Sequence, residues 1–480
     1  MQIFDVVVIG NGAVGSATAV ELQTSGKKTA LVGPDSRQFS ASMAAGAMNG
    51  CFGEVTSSLL SSKFGRIKLD WDFNARGLWD EWIEKICEDT EADPGKVRNK
   101  TGTTVMLNAV GTSAVDSGNF SAILQALEEY SEEHEILEYD QITWINPQET
   151  CRPFKAVHIP NEHSINTNLY FPFIENHFKR LGGRQFNALA TGIGVRAGGS
   201  VESVHLSDGT ELHTKAVVIS SGANIEKLVG DCIGSDKKLI PPVISGYGVG
   251  LLLNTTLEQA LTPVMRTPNR AFACGLHAVP RGGSQTYVGA TNVLSAKRRE
   301  NADLSDLHFL IDCALNQFRM DFRSANVDQI VVGNRPVPID GYPLIGALRD
   351  SGVWLVTGTY RDGFHQSPFL AKKIAAEIAS ETPGSDLPKE FAPIRAPISE
   401  RLRGEVVQEA VDHMLATGYE YNWKVPVDWP ERIRKHLVAK YGKYADELHD
   451  RFTPPADVLV ASVGNPSIED PLAAYYAAYS

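Results

Sequence analysis

Phe4-Asp5-Val6-Val7-Val8-Ile9-Gly10-Asn11-Gly12-Ala13-Val14-Gly15, continued by Ser16-Ala17-Thr18-Ala19-Val20-Glu21-Leu22, is the segment on which the reading of the chain turns. Val6 to Ile9 is an unbroken apolar run, the pattern of a strand buried on both faces, and Ala13, Ala17, Val20 and Leu22 then fall at helical spacing. The implied order is strand, glycine turn, helix. Gly10 permits the tight turn, Gly12 lets backbone N–H groups approach a pyrophosphate, and Gly15 lets the helix pack on the strand, so that the helix N-terminus faces the anion. Such glycine spacing also occurs in ordinary turns, and its context separates the two: a second apolar strand, Thr29 to Val32, follows the helix as a mononucleotide-binding half requires.

The chain has 480 residues and a net charge of -12. That length exceeds what one hydrophobic core usually supports, and two domains plus an appendage are expected. No basic block stands out, which argues against nucleic acid or an anionic membrane as a partner and in favour of a small molecule. The cysteines Cys51, Cys87, Cys151, Cys232, Cys274 and Cys313 are scattered, without a CxxC pair or a histidine cluster at zinc spacing, so reduced thiols and no metal are expected. No signal peptide precedes the first strand and no apolar run reaches membrane-span length, the pattern of a soluble, cytoplasmic protein.

After the second strand, the place of the ribose-binding acid is held by Gly33, with Asp35 the stand-in two residues on. Ser40 to Gly50 is an island of small residues, including Ser42, Ala44, Ala45, Gly46 and Met48. It fits either a flat ring lying close to the backbone or a tightly packed helix. Arg66 to Glu88 has the spacing of one amphipathic helix, and Asp93-Pro94-Gly95 ends it. A second domain is expected to begin there, with a strand at Thr103 to Leu107, a helix from Phe120 to His134 and an irregular stretch from Ile142 to Pro160; a helix from Leu169 to Leu181 follows it. Asp208-Gly209 marks a hairpin that feeds a buried strand, Ala216 to Ile219, ending on Ser220-Ser221-Gly222-Ala223. Val243 to Leu253, Phe272 to Pro280 and Gln285 to Thr291 alternate like an antiparallel sheet, the floor of a substrate domain. Ser367 as N-cap and Pro368 at the first helical position start a further helix, whose positive end suits a delocalised anion.

Taken together, Gly10 to Gly15, Ser42 to Met48, Val217 to Gly222, and Arg335-Pro336 with Tyr360-Arg361-Asp362-Gly363 resemble the flavin-dependent amine oxidases of the D-amino-acid oxidase, glycine oxidase and sarcosine oxidase family, most of all the glycine-oxidase branch. The likeness runs from about Asp5 to about Ala379. It implies an α/β fold: a Rossmann-type FAD-binding domain interleaved with an antiparallel-sheet substrate domain, followed by a helical C-terminal extension. The corresponding segments are 1–92, 161–240 and 332–392 for FAD, 93–160 and 241–331 for substrate, and 393–480 for the extension. The resemblance implies FAD with its pyrophosphate on Gly12, Ala13 and Val14, its ring near Ala44, Ala45, Gly46 and Met48, its ribose near Ala190, and Ser221, Gly222, Tyr360, Asp362, Gly363 and Phe364 around it. Arg335 and Arg361 match positions that grip or border a substrate carboxylate, a task suited to a planar fork. The sarcosine-oxidase tethering cysteine is absent near Arg335, which implies noncovalent FAD. His277 stands where an aromatic commonly faces the substrate, and Asn292 lies close by in sequence; His277 also fits a hydrogen-bonded sheet histidine.

By the resemblance the reaction is hydride transfer from the amine-bearing carbon to flavin N5, imine hydrolysis and reoxidation by dioxygen with release of hydrogen peroxide. His277 and Asn292 predict a preference for an amine with a polar or doubly charged head. An FAD-dependent dehydrogenase of a 2-hydroxy acid or polyol phosphate, passing electrons to a carrier, is a second class, and a catalytically silent flavin-binding protein is a third. The extension contains helical stretches at Glu400 to Ala416 and Trp429 to Arg451, then a Pro-rich end with Tyr475, Tyr476 and Tyr479. It fits a packed appendage, a contact between subunits of a homo-oligomer, or a cover for the active site.

Overall fold

The computed structural model describes residues 2–88, 90, 93–255, 260–379 and 387–480. Its centre is a six-stranded sheet in the order Arg184–Phe186, Thr29–Val32, Val6–Ile9, Ala216–Ile219, Val353–Thr357, Leu344–Ala347. All neighbours run parallel except the last pair. Val6–Ile9 and Ala216–Ile219 are buried at every position because both faces are covered. Val6 and Val8 point into a helical layer that includes Ala17, Val20, Trp79, Ile174 and Ile374. Val7 and Ile9 point the other way, into a core shared with Val201, Val204, Leu206 and Leu212 of a four-stranded sheet.

A nine-stranded sheet forms the second body, in the order Val293–Ser295, Val243–Asn254, Gln285–Gly289, His277–Gly282, Val264–Arg266, Thr103–Asn108, Pro153–Ile159, Glu135–Leu137, with Asn326–Pro338 paired along Val243–Asn254. It is antiparallel but for the pair Val264–Arg266 and Thr103–Asn108. The boundary placed between 331 and 332 falls inside the long Asn326–Pro338 strand, so Arg335 rides on this sheet. The boundary at residue 92 lies outside the described residues.

Several expected elements differ. The helix expected over Arg66 to Glu88 is two, Lys63–Arg76 and Trp79–Cys87, parted at Gly77-Leu78 so that the Trp79 indole N–H reaches the His365 carbonyl at 2.8 Å. The next ends at Glu129, because Glu135–Leu137 is already an edge strand. Within Ile142 to Pro160, expected to be irregular, Pro153–Ile159 is a strand; Pro153 sits at its first position, where its missing N–H costs little. The strand expected from Phe272 starts only at His277, since Ala271 and Phe272 have φ of 46° and 62° and Gly275 one of 70°. The small-residue island is turns and a short strand, Met48–Asn49, and no tightly packed helix. The helix after the last motif begins at Ser367 itself, and the Ser367 hydroxyl donates to the Phe364 carbonyl instead of capping.

The extension holds helices Arg403–Glu420, Trp429–Leu448, Ala456–Ser462 and Pro466–Ala477, the last two within the stretch expected to be merely Pro-rich. Its docking is apolar: Val458, Leu472, Tyr475 and Tyr476 pack against Ile244 and Val337 of the nine-stranded sheet. Among the described residues no helix is long and apolar enough to cross a membrane.

Candidate active site

Three sequence-distant edges meet at a cleft of about 1890 Å³, its open mouth included. At one end the turn after Val6–Ile9 supplies Gly10, Asn11, Gly12, Ala13 and Val14. The small-residue loop supplies Ser42, which lies against Gly12 and Ala13, with Ala44, Ala45, Gly46 and Met48. Ala190, Ser221 and Gly222 border the cleft, and Tyr360, Arg361, Asp362, Gly363 and Phe364 line it with His277 and Arg335. The chain therefore brings most of the expected residues into one space.

The cradle is shaped for something that needs backbone at close range. Gly10 has a φ of 110°, and a Cβ there would lie 2.4 Å from the Ser220 carbonyl oxygen. Gly15 does not line the cleft; a Cβ on it would lie 1.7 Å from the Gly10 carbonyl oxygen, so its role is to let the helix close on the strand. Ser42 Oγ accepts the Ala13 N–H at 3.1 Å, tying the small-residue loop to the helix N-terminus. Backbone donors at a helix start, a hydroxyl beside them and walls free of bulky side chains fit a dinucleotide pyrophosphate and the flat ring attached to it.

At the far end Arg335 Nη1 donates to the Thr291 carbonyl and to Asn292 Oδ1, both at 3.2 Å. Arg361 Nη2 donates to the Phe272 carbonyl at 2.8 Å, and its buried Nε has no partner. Among the described residues neither guanidinium forms an ion pair. His277 is 2% exposed. Its Nδ1 pairs with the Gly275 carbonyl at 3.1 Å, which makes Nδ1 the protonated nitrogen and leaves Nε2 an acceptor. Burial, reinforced by Arg266, pushes the ring down to about 3, so it is neutral. Gly46 lies against it: a Cβ there would be 2.8 Å from His277 Nε2.

Besides Gly15, two expected residues are outside the cleft lining. Asp35 is exposed and accepts from Gln185 Nε2 at 3.1 Å, outside the cleft; Arg37, buried and donating from Nε to the Asn11 carbonyl at 2.7 Å, lines that end instead. Asn292 stands behind Arg335, with Nδ2 donating to the Phe272 carbonyl at 3.0 Å and to Tyr360 Oη at 2.5 Å, so its polar groups are committed within the protein.

Sequence reasoning passed over Glu54, Arg266, Cys274 and Tyr287. Glu54 lines the cleft near Arg361 and takes a 2.8 Å hydrogen bond from Arg266 Nη1. Burial alone would raise its carboxyl, but Arg266 and Arg361 outweigh that and hold it at about 2. Tyr287 stacks on His277 at 5.7 Å and donates to the Ala44 carbonyl at 2.9 Å. The only signal for Glu54 was a lone acid amid small and apolar residues, and Arg266 gave none. All six cysteines are buried and free, and among the described residues no group of three or more His, Cys, Asp or Glu could hold a metal ion.

Comparison with known proteins agrees with this geometry. The bifunctional protein ThiO/ThiG of Trichormus variabilis is 24% identical over 379 residues, 78% of this chain and 53% of its own; the chain thus spans about half the length of the curated relatives it matches. Glycine oxidase from Geobacillus kaustophilus superposes with a TM-score of 0.68 at 19% identity, covering 82% of this chain and 99% of that one. Iminodiacetate oxidase from Chelativorans sp. BNC1 gives 0.67 at 16% identity, covering 82% and 100%. Residues 5–377 match the family described as DAO, FAD dependent oxidoreductase. The chain belongs to this family of FAD-dependent oxidoreductases.

Proposed function

We propose that the protein oxidises a small primary or secondary amine carrying an anionic group, with noncovalent FAD and dioxygen as acceptors. The observation that carries this reading is the pair of guanidiniums, Arg335 and Arg361, at the same end of the cleft, with no ion-pair partner for either among the described residues. Arg335 meets only neutral acceptors, while Arg361 also feels ionised Glu54, and a substrate carboxylate is a partner of the right shape for the two planar forks. The cradle residues Gly12, Ala13, Val14 and Ser42 would hold the pyrophosphate, and Ala44 to Met48 with Gly363 would border the ring.

Bound FAD supplies a hydride acceptor for the carbon that bears the amine. Arg335 and Arg361 hold the acidic group, so that the amine end is directed along the cleft. Neutral His277 offers Nε2 as an acceptor for an amine N–H, and ionised Glu54 places a fixed negative charge on the same wall. A further anionic group on the amine would be met by the two arginines and a further N–H or O–H donor by His277 Nε2, while Glu54 is already held by Arg266 and Asn269. The iminodiacetate and glycine oxidases named above share this fold, and their names are those of amines that carry carboxylates.

The test is anaerobic mixing of the yellow protein with glycine, sarcosine, iminodiacetate, D-alanine, lactate and glycerol 3-phosphate, followed by oxygen. Bleaching by amino acids and peroxide on reoxidation are expected, with iminodiacetate ahead of D-alanine. Bleaching by lactate or glycerol 3-phosphate alone would overturn the amine assignment, and peroxide-free reoxidation through a carrier dye would overturn the oxidase assignment.

A further inference from the structure

The family match ends at residue 377, yet the C-terminal extension, through His413 and Asp457, lines a second cavity with Tyr360 and Arg361. Asp457 opens the Ala456–Ser462 helix, and its Oδ2 accepts the Tyr360 hydroxyl at 3.2 Å. Its other oxygen accepts the Val458 N–H at 2.9 Å, which fixes the carboxylate's orientation. Tyr360 Oη in turn accepts Asn292 Nδ2 at 2.5 Å, and Asn292 Oδ1 accepts Arg335 Nη1 at 3.2 Å. A directed chain of hydrogen bonds therefore runs from Arg335 through Asn292 and Tyr360 to a carboxylate of the extension. Arg361 Nη2 joins it at Tyr360 Oη, 3.4 Å away.

A second route serves Arg361. Its main acceptor, the Phe272 carbonyl, belongs to a loop in which Ala271 and Phe272 both have positive φ, a conformation that must be held from outside. The extension does the holding: the Phe272 N–H donates to His413 Nδ1 at 2.9 Å, and the two rings stack at 4.6 Å. Two residues earlier in the chain, buried Arg270 pairs with Glu420 of the same helix at 3.5 Å and with Asp116 at 2.6 Å.

We propose that Asp457 and His413 are positioning residues, which set the geometry of Arg335 and Arg361 through Tyr360 and Phe272 and so make the C-terminal extension part of the anion-anchoring apparatus. This rests on the reading of those arginines as the substrate's anion anchor. Nothing in the chain's periodicity could announce it, because Asp457 and Tyr360 are brought together only by docking of the extension.

The experiment uses the full-length, FAD-loaded protein and acetate as the probe, titrated against the visible flavin spectrum. This reads the anion anchor without turnover, so it gives an answer whatever the substrate is. Asp457→Ala is expected to weaken acetate binding about tenfold, with FAD stoichiometry and thermal midpoint close to wild type. Asp457→Asn, which keeps an oxygen acceptor for Tyr360, should recover most of the loss. Tyr360→Phe should weaken binding at least as much, and adding Asp457→Ala to it should change nothing further, because the link is already cut. His413→Ala should weaken acetate independently of that pair. Unchanged acetate affinity in fully loaded Asp457→Ala, additive losses in the Tyr360 and Asp457 double variant, or no acetate binding by wild type would each overturn the proposal. Asp457-dependent acetate binding by a protein that oxidises no amine would leave it standing while sinking the amine assignment.

Discussion

Replacing His277 by Gln should make the protein less sensitive to acid, by an amount that follows from how the ring is buried. In the folded chain burial, then Arg266, brings the imidazole to about 3, against an ordinary value of 6.5. A folded-state pKa below the unfolded one gives stability that is fully present above the unfolded value and is lost as pH falls toward the folded value. The window is therefore from about 6.5 down to about 3. Between about pH 7.5 and about pH 5 the unfolded ring takes up nearly a whole proton and the folded ring almost none, which removes about 2 kcal/mol of stability. Glu420, pushed up to about 7 by burial, works in the opposite sense, but it titrates alike in wild type and variant and cancels in the difference. Equilibrium urea unfolding of both proteins at the two pH values is the assay. Gln retains a donor for the Gly275 carbonyl that His277 Nδ1 meets at 3.1 Å. The loss of stability between the two pH values should be smaller in H277Q by about 2 kcal/mol. Equal losses would refute the reasoning, because the ring could not then be held neutral by its surroundings.

Arg335→Ala should raise KM far more than it lowers flavin content, with kcat/KM reduced by about 2 to 4 kcal/mol in transition-state terms; steady-state kinetics on a fully loaded variant checks it. Gly10→Ala should abolish FAD retention, since a Cβ would meet the Ser220 carbonyl at 2.4 Å and the φ of 110° disfavours alanine; the flavin-to-protein absorbance ratio reads it. Mild denaturation of the wild type should release all of its FAD, and colour remaining on the precipitated chain would contradict noncovalent binding. Arg270→Met should destabilise by about 3 to 5 kcal/mol, because it strands the buried carboxylates of Asp116 and Glu420; thermal unfolding measures it.

The strand–turn–helix start was legible because its signals are local. A strand buried on both faces must be apolar throughout, a turn of φ 110° at Gly10 calls for glycine, and a helix closing on that turn leaves no room at Gly15. Arg335 and Arg361 were visible through short motifs around them, and both line the cleft. Asp35 and Asn292 misled for one reason: position in a motif says which residue stands near a site, whereas the direction of its side chain depends on which neighbours claim its polar atoms, here Gln185 for Asp35 and Tyr360, Phe272 and Arg335 for Asn292.

By itself the sequence determined the strand–turn–helix start, three strands of the six-stranded sheet (Val6 to Ile9, Thr29 to Val32 and Ala216 to Ile219), and the glycines Gly10 and Gly12 that line the cleft, since backbone sterics and period-two or helical burial are written over a few neighbouring residues. Only the tertiary structure decided that Glu54, held by Arg266 at 2.8 Å, stands on the cleft wall, that His277 is neutral, and that Asp457 of the extension meets Tyr360 at 3.2 Å. These depend on the desolvation and pairing of groups far apart in the chain, and no local pattern of residues encodes the distance between them.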